Sequence, residues 1–354
     1  MIIDMHCDTI SEIRHRRGEK EEECNLRENR LHIDAYRLRE SGYLLQCFAL
    51  YVNLRGCGGI DERGAVNSDR AWEDLQELYR LYRRELSRNE DILQPVDGPD
   101  GLENCRQTRK VGALLTVEEG GVCGGSLRRL GELYDMGVRM MTLTWNFPNE
   151  LGHPNIDGLS PRHGYASLFQ ADMEHGLTET GRAFVDRMEE LGMLVDVSHL
   201  SDKGFWDVAE ASHRPFVASH SNARSVCPCV RNLTDEMIRC LAEKGGVMGL
   251  NFCADFLRTV PEGVRNPGRL EDVAPHAEHI FRVGGEDCLG LGSDFDGIDT
   301  NEALPGAQAM EKLWECLKRN GFTERQLDKI FYGNVLRVLE NGIVGKAGDS
   351  AQRF

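Results

Sequence analysis

The chain has 354 residues, with 42 Lys and Arg against 58 Asp and Glu, for a formal net charge of −16. Hydrophobic residues at 40% and charged residues at 28% are ordinary globular proportions and exclude a disordered or fibrous chain. The acid excess argues against a nucleic-acid partner, because phosphate binding needs clustered Lys and Arg, and no apolar run is long enough to cross a bilayer.

The first strand-like run, Ile2–Asp8, starts directly after Met1, with no basic stretch, apolar leader or small-residue cleavage site before it. That pattern predicts a cytoplasmic chain. Tyr43–Val52 reads as the second strand and residues 53–67 as a long loop. Trp72, Leu75, Leu78, Tyr79, Tyr82 and Leu86 then share one helical face, with Ser68 or Asp69 as the cap. Ala113–Glu118 and Arg139–Asn146 are the third and fourth strands, and the Pro- and Gly-bearing stretch 147–177 is a second long loop. A helix carrying Phe184, Met188 and Leu191 stops at Gly192, where a C-terminal glycine belongs. Met193–His199 and Phe216–His220 supply strands five and six. A helix with Met237, Ile238 and Leu241 ends at Gly245-Gly246, and Gly246–Phe252 and Leu289–Asp294 complete eight strands. Thr323 with Gln326 forms a capping box before Leu327 and Ile330.

Near-continuous apolar runs of this length mark parallel strands covered on both faces. Eight of them alternating with helices predict an α/β fold, a single (β/α)8 TIM-type barrel over residues 1–344, with long loops over its C-terminal face and a tail at 345–354. A doubly wound sheet is the competing architecture, but no GxGxxG follows the first strand. Twelve cysteines are too dilute for a disulfide scaffold and read as reduced thiols packed as small hydrophobes. The Cys227-Pro228-Cys229 pair lacks the diagnostic zinc and redox spacings.

Polar residues concentrate at the strand ends. His6 and Asp8 close the first strand two apart, which points both side chains one way. Glu118-Glu119 ends the third strand, His199 the fifth, His220 the sixth, and Asp294 with Asp296 the eighth. In a barrel all these groups converge on the C-terminal face. Buried imidazoles and carboxylates in one cluster are costly without a cation. Three histidines, two or three carboxylates and no nearby lysine therefore predict a metal site. A binuclear one, with a shared carboxylate, holds two cations roughly 3.5–4 Å apart.

Taken in order, DMHCD, TVEEGG, TLTWN, VDVSHLS, ASHSNAR and GSDFDG resemble the membrane dipeptidase (renal dipeptidase, peptidase M19) family of the amidohydrolase superfamily. The likeness runs over nearly the whole chain and includes Gly333-Asn334-Val335-Leu336-Arg337 near its end. The resemblance implies a zinc-dependent dipeptidase with two zinc ions per chain, a small dipeptide substrate and a homodimer. It implies one zinc on His6 and Asp8, a bridging Glu118, and a second zinc on His199 and His220. Glu119 competes with Glu118 for the bridging place, since strand register decides which points inward. Asp294 is implied as the proton carrier for attack by a metal-bridging hydroxide, Asp296 as structural, and Arg231 as the group that holds the substrate carboxylate.

One position departs from the family pattern. Many members have histidine where this chain has Trp145, and indole offers an N–H donor but neither titrates nor binds zinc. Trp145 is therefore read as a substrate-pocket wall, with His153 as a substitute donor. The departure leaves open the same chemistry on an N-acyl amino acid, cyclic amide or lactone. A catalytically inactive peptide-binding barrel is the third reading, which the complete ligand set and Asp294 oppose.

Overall fold

The computed structural model describes residues 1–16, 24–61, 67–159, 165–299 and 301–345. Among the described residues nine parallel strands form one sheet: β1 Ile2–Asp4, β2 Tyr43–Tyr51, β3 Leu93–Val96, β4 Val111–Glu118, β5 Val138–Thr142, β6 Leu194–Asp196, β7 Val217–Ala218, β8 Val247–Leu250 and β9 Leu289–Leu291. Eight of them close on themselves in the order β1-β2-β4-β5-β6-β7-β8-β9, with β9 paired back to β1 at Asp4 and Leu291. The predicted (β/α)8 barrel is thus present.

The ninth strand, β3, is additional to the eight that the sequence pattern predicts. It pairs only with the lower half of β4, from Leu93 against Val111 to Val96 against Leu114, while β5 takes the upper half from Leu115 onward. Its sequence, Leu-Gln-Pro-Val, is short and carries a proline, which suits an edge strand and hides the strand signal. The predicted strands also run past the observed ends. The ladder stops at Asp4, Asp196, Ala218 and Leu291, so His6, Asp8, His199, His220 and Asp294 stand in the turns just beyond. His199 and Asp294 take the left-handed region at φ 72° and 61°, which no continuing strand allows.

Alternation along each strand separates two apolar layers. Leu45, Cys47, Leu114, Met140, Leu194, Val217 and Val247 fill the barrel interior together with Val335 and Leu339 of the Asn334–Gly342 helix, which closes the N-terminal end. Phe48, Leu115, Met141, Val195, Ala218 and Met248 face the surrounding helices. Continuing the inner set by two or four residues reaches Tyr51, Glu118, Thr142, Asp196, Ser219 and Asn251, a polar layer above an apolar floor. Gly249 and Gly292 keep this layer narrow: an added Cβ would lie 2.2 Å and 1.7 Å from the Ser219 carbonyl oxygen.

The helical expectations hold at Gly192, a left-handed C-cap, and at the Thr323–Gln326 capping box. The helix Ser68–Arg88 is capped one residue earlier than expected, by the Asn67 side chain on the Arg70 amide. The described parts of the 147–177 loop lie against the C-terminal end of the barrel, with Asn155 N donating to His199 O and Gly158 N to Asn146 O. Residues 62–66 and 160–164 of the two expected loops, and 346–354 of the expected tail, lie outside the described residues. Among the described residues no helix is long and apolar enough to cross a membrane.

Candidate metal centre

Glu118, the last residue of β4, points into the barrel with its two oxygens turned to different partners. Its Oε2 lies 3.5 Å from His6 Nε2, and its Oε1 lies 3.0 Å from His199 Nε2 and 3.4 Å from His220 Nε2. His6 Nε2 is also 3.4 Å from Asp8 Oδ2. The potential ligand atoms of His6, Asp8 and Glu118 lie within 4.8 Å of one another, as do those of Glu118, His199 and His220, and those of His6, His220 and Asp294. All six residues are buried.

The backbone explains how side chains from five strand ends meet. Cys7 bridges to Phe295, and its carbonyl accepts from Ala49 N, so the chain stays extended past β1 and His6 and Asp8 emerge on one side. The other histidines are aimed by bonds at their far nitrogens. His199 Nδ1 meets Asn146 Oδ1 at 2.9 Å, which makes Nδ1 the protonated nitrogen and leaves the Nε2 lone pair facing Glu118. His220 Nδ1 meets Ser219 Oγ at 2.7 Å, and that hydroxyl donates to Asp196. Asp196 is itself fixed by the Ser198 and Ser219 amides and the Thr142 hydroxyl. Carboxylates and carbonyls behind ligating histidines serve this orienting purpose in metal sites.

The charges conflict when only protein groups are counted. Burial pushes His199 down to about 4 and His220 well below the ordinary imidazole value, with Arg231 adding to both. Burial works the same way on His6, but the carboxylates of Glu118 and Asp8 hold it well above that value. Burial and then Glu118 raise Asp8 to about 6, and burial with Asp8 and Glu118 raises Asp294 to about 7. Asp8 Oδ1 is buried with no hydrogen-bond partner among the described residues. Neutral imidazole nitrogens, packed carboxylates and an orphaned carboxylate oxygen form a donor set that divalent cations satisfy.

Glu119 is excluded from this cluster. With φ 100° it turns away, and its carboxylate accepts from Gly121 N at 2.7 Å, Trp145 N at 3.1 Å and Asn149 Nδ2 at 2.5 Å. Asp296 also faces elsewhere, taking the Thr9 hydroxyl at 2.6 Å and the His32 amide at 2.7 Å. Asp294 turns Oδ1 toward His6 at 3.9 Å, while Asn251 Nδ2 donates to its Oδ2 at 2.8 Å.

Arg231 is buried beside the cluster. Its Nη2 donates to the His220 carbonyl at 3.3 Å, and its Nε has no partner among the described residues. A buried guanidinium with a donor unspent is chemically able to receive an anion. Trp145 is half-buried, with its ring 6.2 Å from that of His199. His153 stacks instead against His175 at 5.1 Å and joins none of the converging ligand groups. Cys227 and Cys229 are buried free thiols, consistent with a packing role. Asn146, Asp196, Ser219 and Asn251 were not singled out from sequence. The signal available was position: Asp196 and Ser219 lie within three residues of His199 and His220, and Asn146 and Asn251 follow the ends of β5 and β8.

The family model for membrane dipeptidase, peptidase family M19, matches residues 1–349. The chain belongs to that family. A Klebsiella pneumoniae protein from the pqqA 5′ region is 34% identical over 274 residues, 77% of this chain and 96% of the relative. The solved metallopeptidase dipeptidase AC superposes with a TM-score of 0.84 at 27% identity, covering 97% of this chain and 98% of the other. A Rhodobacter sphaeroides metallopeptidase, solved with a phosphinate mimic of the dipeptide L-Ala-D-Ala, gives 0.83 at 26% identity over 96% and 99%.

Proposed function

We propose that this M19 protein is a zinc-dependent dipeptidase that holds two zinc ions per chain and hydrolyses dipeptides, including those with a C-terminal D-residue. The observation that carries the reading is Glu118, whose two oxygens address separate groups of buried ligand atoms. His6, Asp8 and Glu118 would hold one ion, and Glu118, His199 and His220 the other. When bound, such ions lower the pKa of water to about 7 and polarise the scissile carbonyl.

The chain's own residues supply the rest of the reaction. Arg231 takes the substrate's C-terminal carboxylate through parallel hydrogen bonds, a geometry lysine does not match. That contact sets the scissile carbonyl over the histidine cluster. Asp294, steadied by Asn251, accepts a proton as water attacks the carbonyl carbon. It returns the proton to the amide nitrogen as the C–N bond breaks, releasing a carboxylate and an amine. The Rhodobacter relative, which binds a mimic of L-Ala-D-Ala, supports the substrate class. The reading includes a cytoplasmic location, supported by buried free thiols such as Cys7, Cys47, Cys123 and Cys288.

Trp145 favours a second reading, the same chemistry on an N-acyl amino acid, cyclic amide or lactone, because an indole stands where many family members carry histidine. A panel of L-L and L-D dipeptides, assayed with chelator-stripped protein before and after zinc is added, decides between them. Zinc-restored turnover that disappears in Asp294→Asn is the expected result. Protein holding two metals per chain yet cleaving no dipeptide would move the search to the other amides and lactones.

A further inference from the structure

Three aromatic rings line up at one side of the ligand cluster. Tyr51 ends β2 directly opposite Glu118 in the sheet register, so its side chain belongs to the inward-facing set. Trp145 follows β5 and meets the Tyr51 ring edge-on at 5.0 Å, the Phe147 ring at 5.6 Å and the His199 ring at 6.2 Å. Phe147 is buried, whereas Tyr51 and Trp145 keep part of their surface open. Arg55 covers the Phe147 ring at 5.7 Å. The wall is also held in place, because the Glu119 carboxylate takes the Trp145 amide and the Asn149 side chain together.

The barrel order sets where this wall stands relative to Arg231. β2 and β5 flank β4, whose Glu118 lies between the two ligand groups. Arg231 lies in the β7–β8 connection, and β8 stands four places around the eight-stranded ring from β4. A dipeptide held by its carboxylate at Arg231 therefore extends across the histidines toward the aromatic rings. Two residues of extended chain span roughly 7 Å, which suits a molecule reaching from one side of a narrow barrel mouth to the other.

We infer that the half-exposed faces of Tyr51 and Trp145, backed by Phe147, form the subsite for the side chain of the substrate's N-terminal residue, and that they select a large apolar or aromatic one. This rests on the dipeptidase reading and adds the class of dipeptide. Aromatic rings in offset and edge-on contact favour such a side chain beyond simple area burial. Small residues leave both rings facing water. A histidine at position 145 would remove much of that surface and add a polar ring, turning the same wall toward smaller or more polar residues.

The test compares kcat/KM for Phe-Ala and Gly-Ala in the zinc-loaded enzyme and in Trp145→His and Tyr51→Leu. The wild type should prefer Phe-Ala, and each variant should lower the Phe-Ala to Gly-Ala ratio by on the order of tenfold. A Trp145 that only packs the loop would change both substrates together and leave the ratio fixed. Using two variants at different strand ends keeps the test valid where one folds poorly, and thermal melts report that directly. Turnover of both substrates with an unchanged ratio overturns this inference alone. Turnover of neither by the wild type overturns the dipeptidase reading, and the inference falls with it.

Discussion

His276 is a buried histidine packed against the loop that follows His220 and leads to Arg231. Its Nδ1 accepts from the Ala223 amide at 3.1 Å, and its Nε2 donates to the Leu257 carbonyl at 2.9 Å. Both nitrogens are committed to the neutral ring, and protonating Nδ1 would set one N–H against another. Burial accordingly lowers His276 from 6.5 to about 4. The unfolded chain then binds a proton between pH 6.5 and 4 that the folded chain refuses, so stability present above pH 6.5 is lost as pH falls through this window. Shifted by this much, one histidine removes about 2 kcal/mol between pH 7 and pH 5. The assay is urea unfolding of the wild type and of His276→Gln at both pH values. Gln keeps one donor and one acceptor but does not titrate. The stability advantage of the wild type over the variant should shrink by about 2 kcal/mol on going to pH 5. Because only the difference is read, protonation of the metal-centre groups cancels. Parallel curves across that range would refute the reasoning.

Two further outcomes test the site itself. Asp196→Asn breaks the chain from Asp196 through the Ser219 hydroxyl to His220 Nδ1 without touching a ligand atom. Competition with a chelator should show zinc affinity reduced roughly 10–100-fold for one of two ions, and retention of both at wild-type affinity would leave Asp196 a purely structural role. Arg231→Lys should lower kcat/KM for dipeptides by on the order of 100-fold, since a point charge replaces a planar fork. The same variant should leave hydrolysis of C-terminally amidated dipeptides unchanged, and an equal loss on both would mean that Arg231 does not bind the carboxylate.

Much of this molecule is written in single-residue positions of its sequence. The eight apolar runs, the strand-end histidines and acids, the Gly192 stop and the Thr323–Gln326 box all follow from local periodicity and backbone preference, which short segments carry within themselves. The barrel follows from their alternation, since parallel strands must be covered on both faces. Other features depend on partners far along the chain. Whether Glu118 or Glu119 faces the histidines rests on β4 being locked in register between β2 and β5, because a shift of one residue would exchange them. β3 exists because the lower edge of β4 is left open to it, not because Leu-Gln-Pro-Val favours a strand. Asp196 reaches His220 only through a serine on the neighbouring strand end, and Asn251 reaches Asp294 across 43 positions. The sequence by itself determined which chemical groups are available and that they sit at strand ends. Only the closed barrel, whose strand spacing and stagger bring distant ends within hydrogen-bond reach, decided which of them meet.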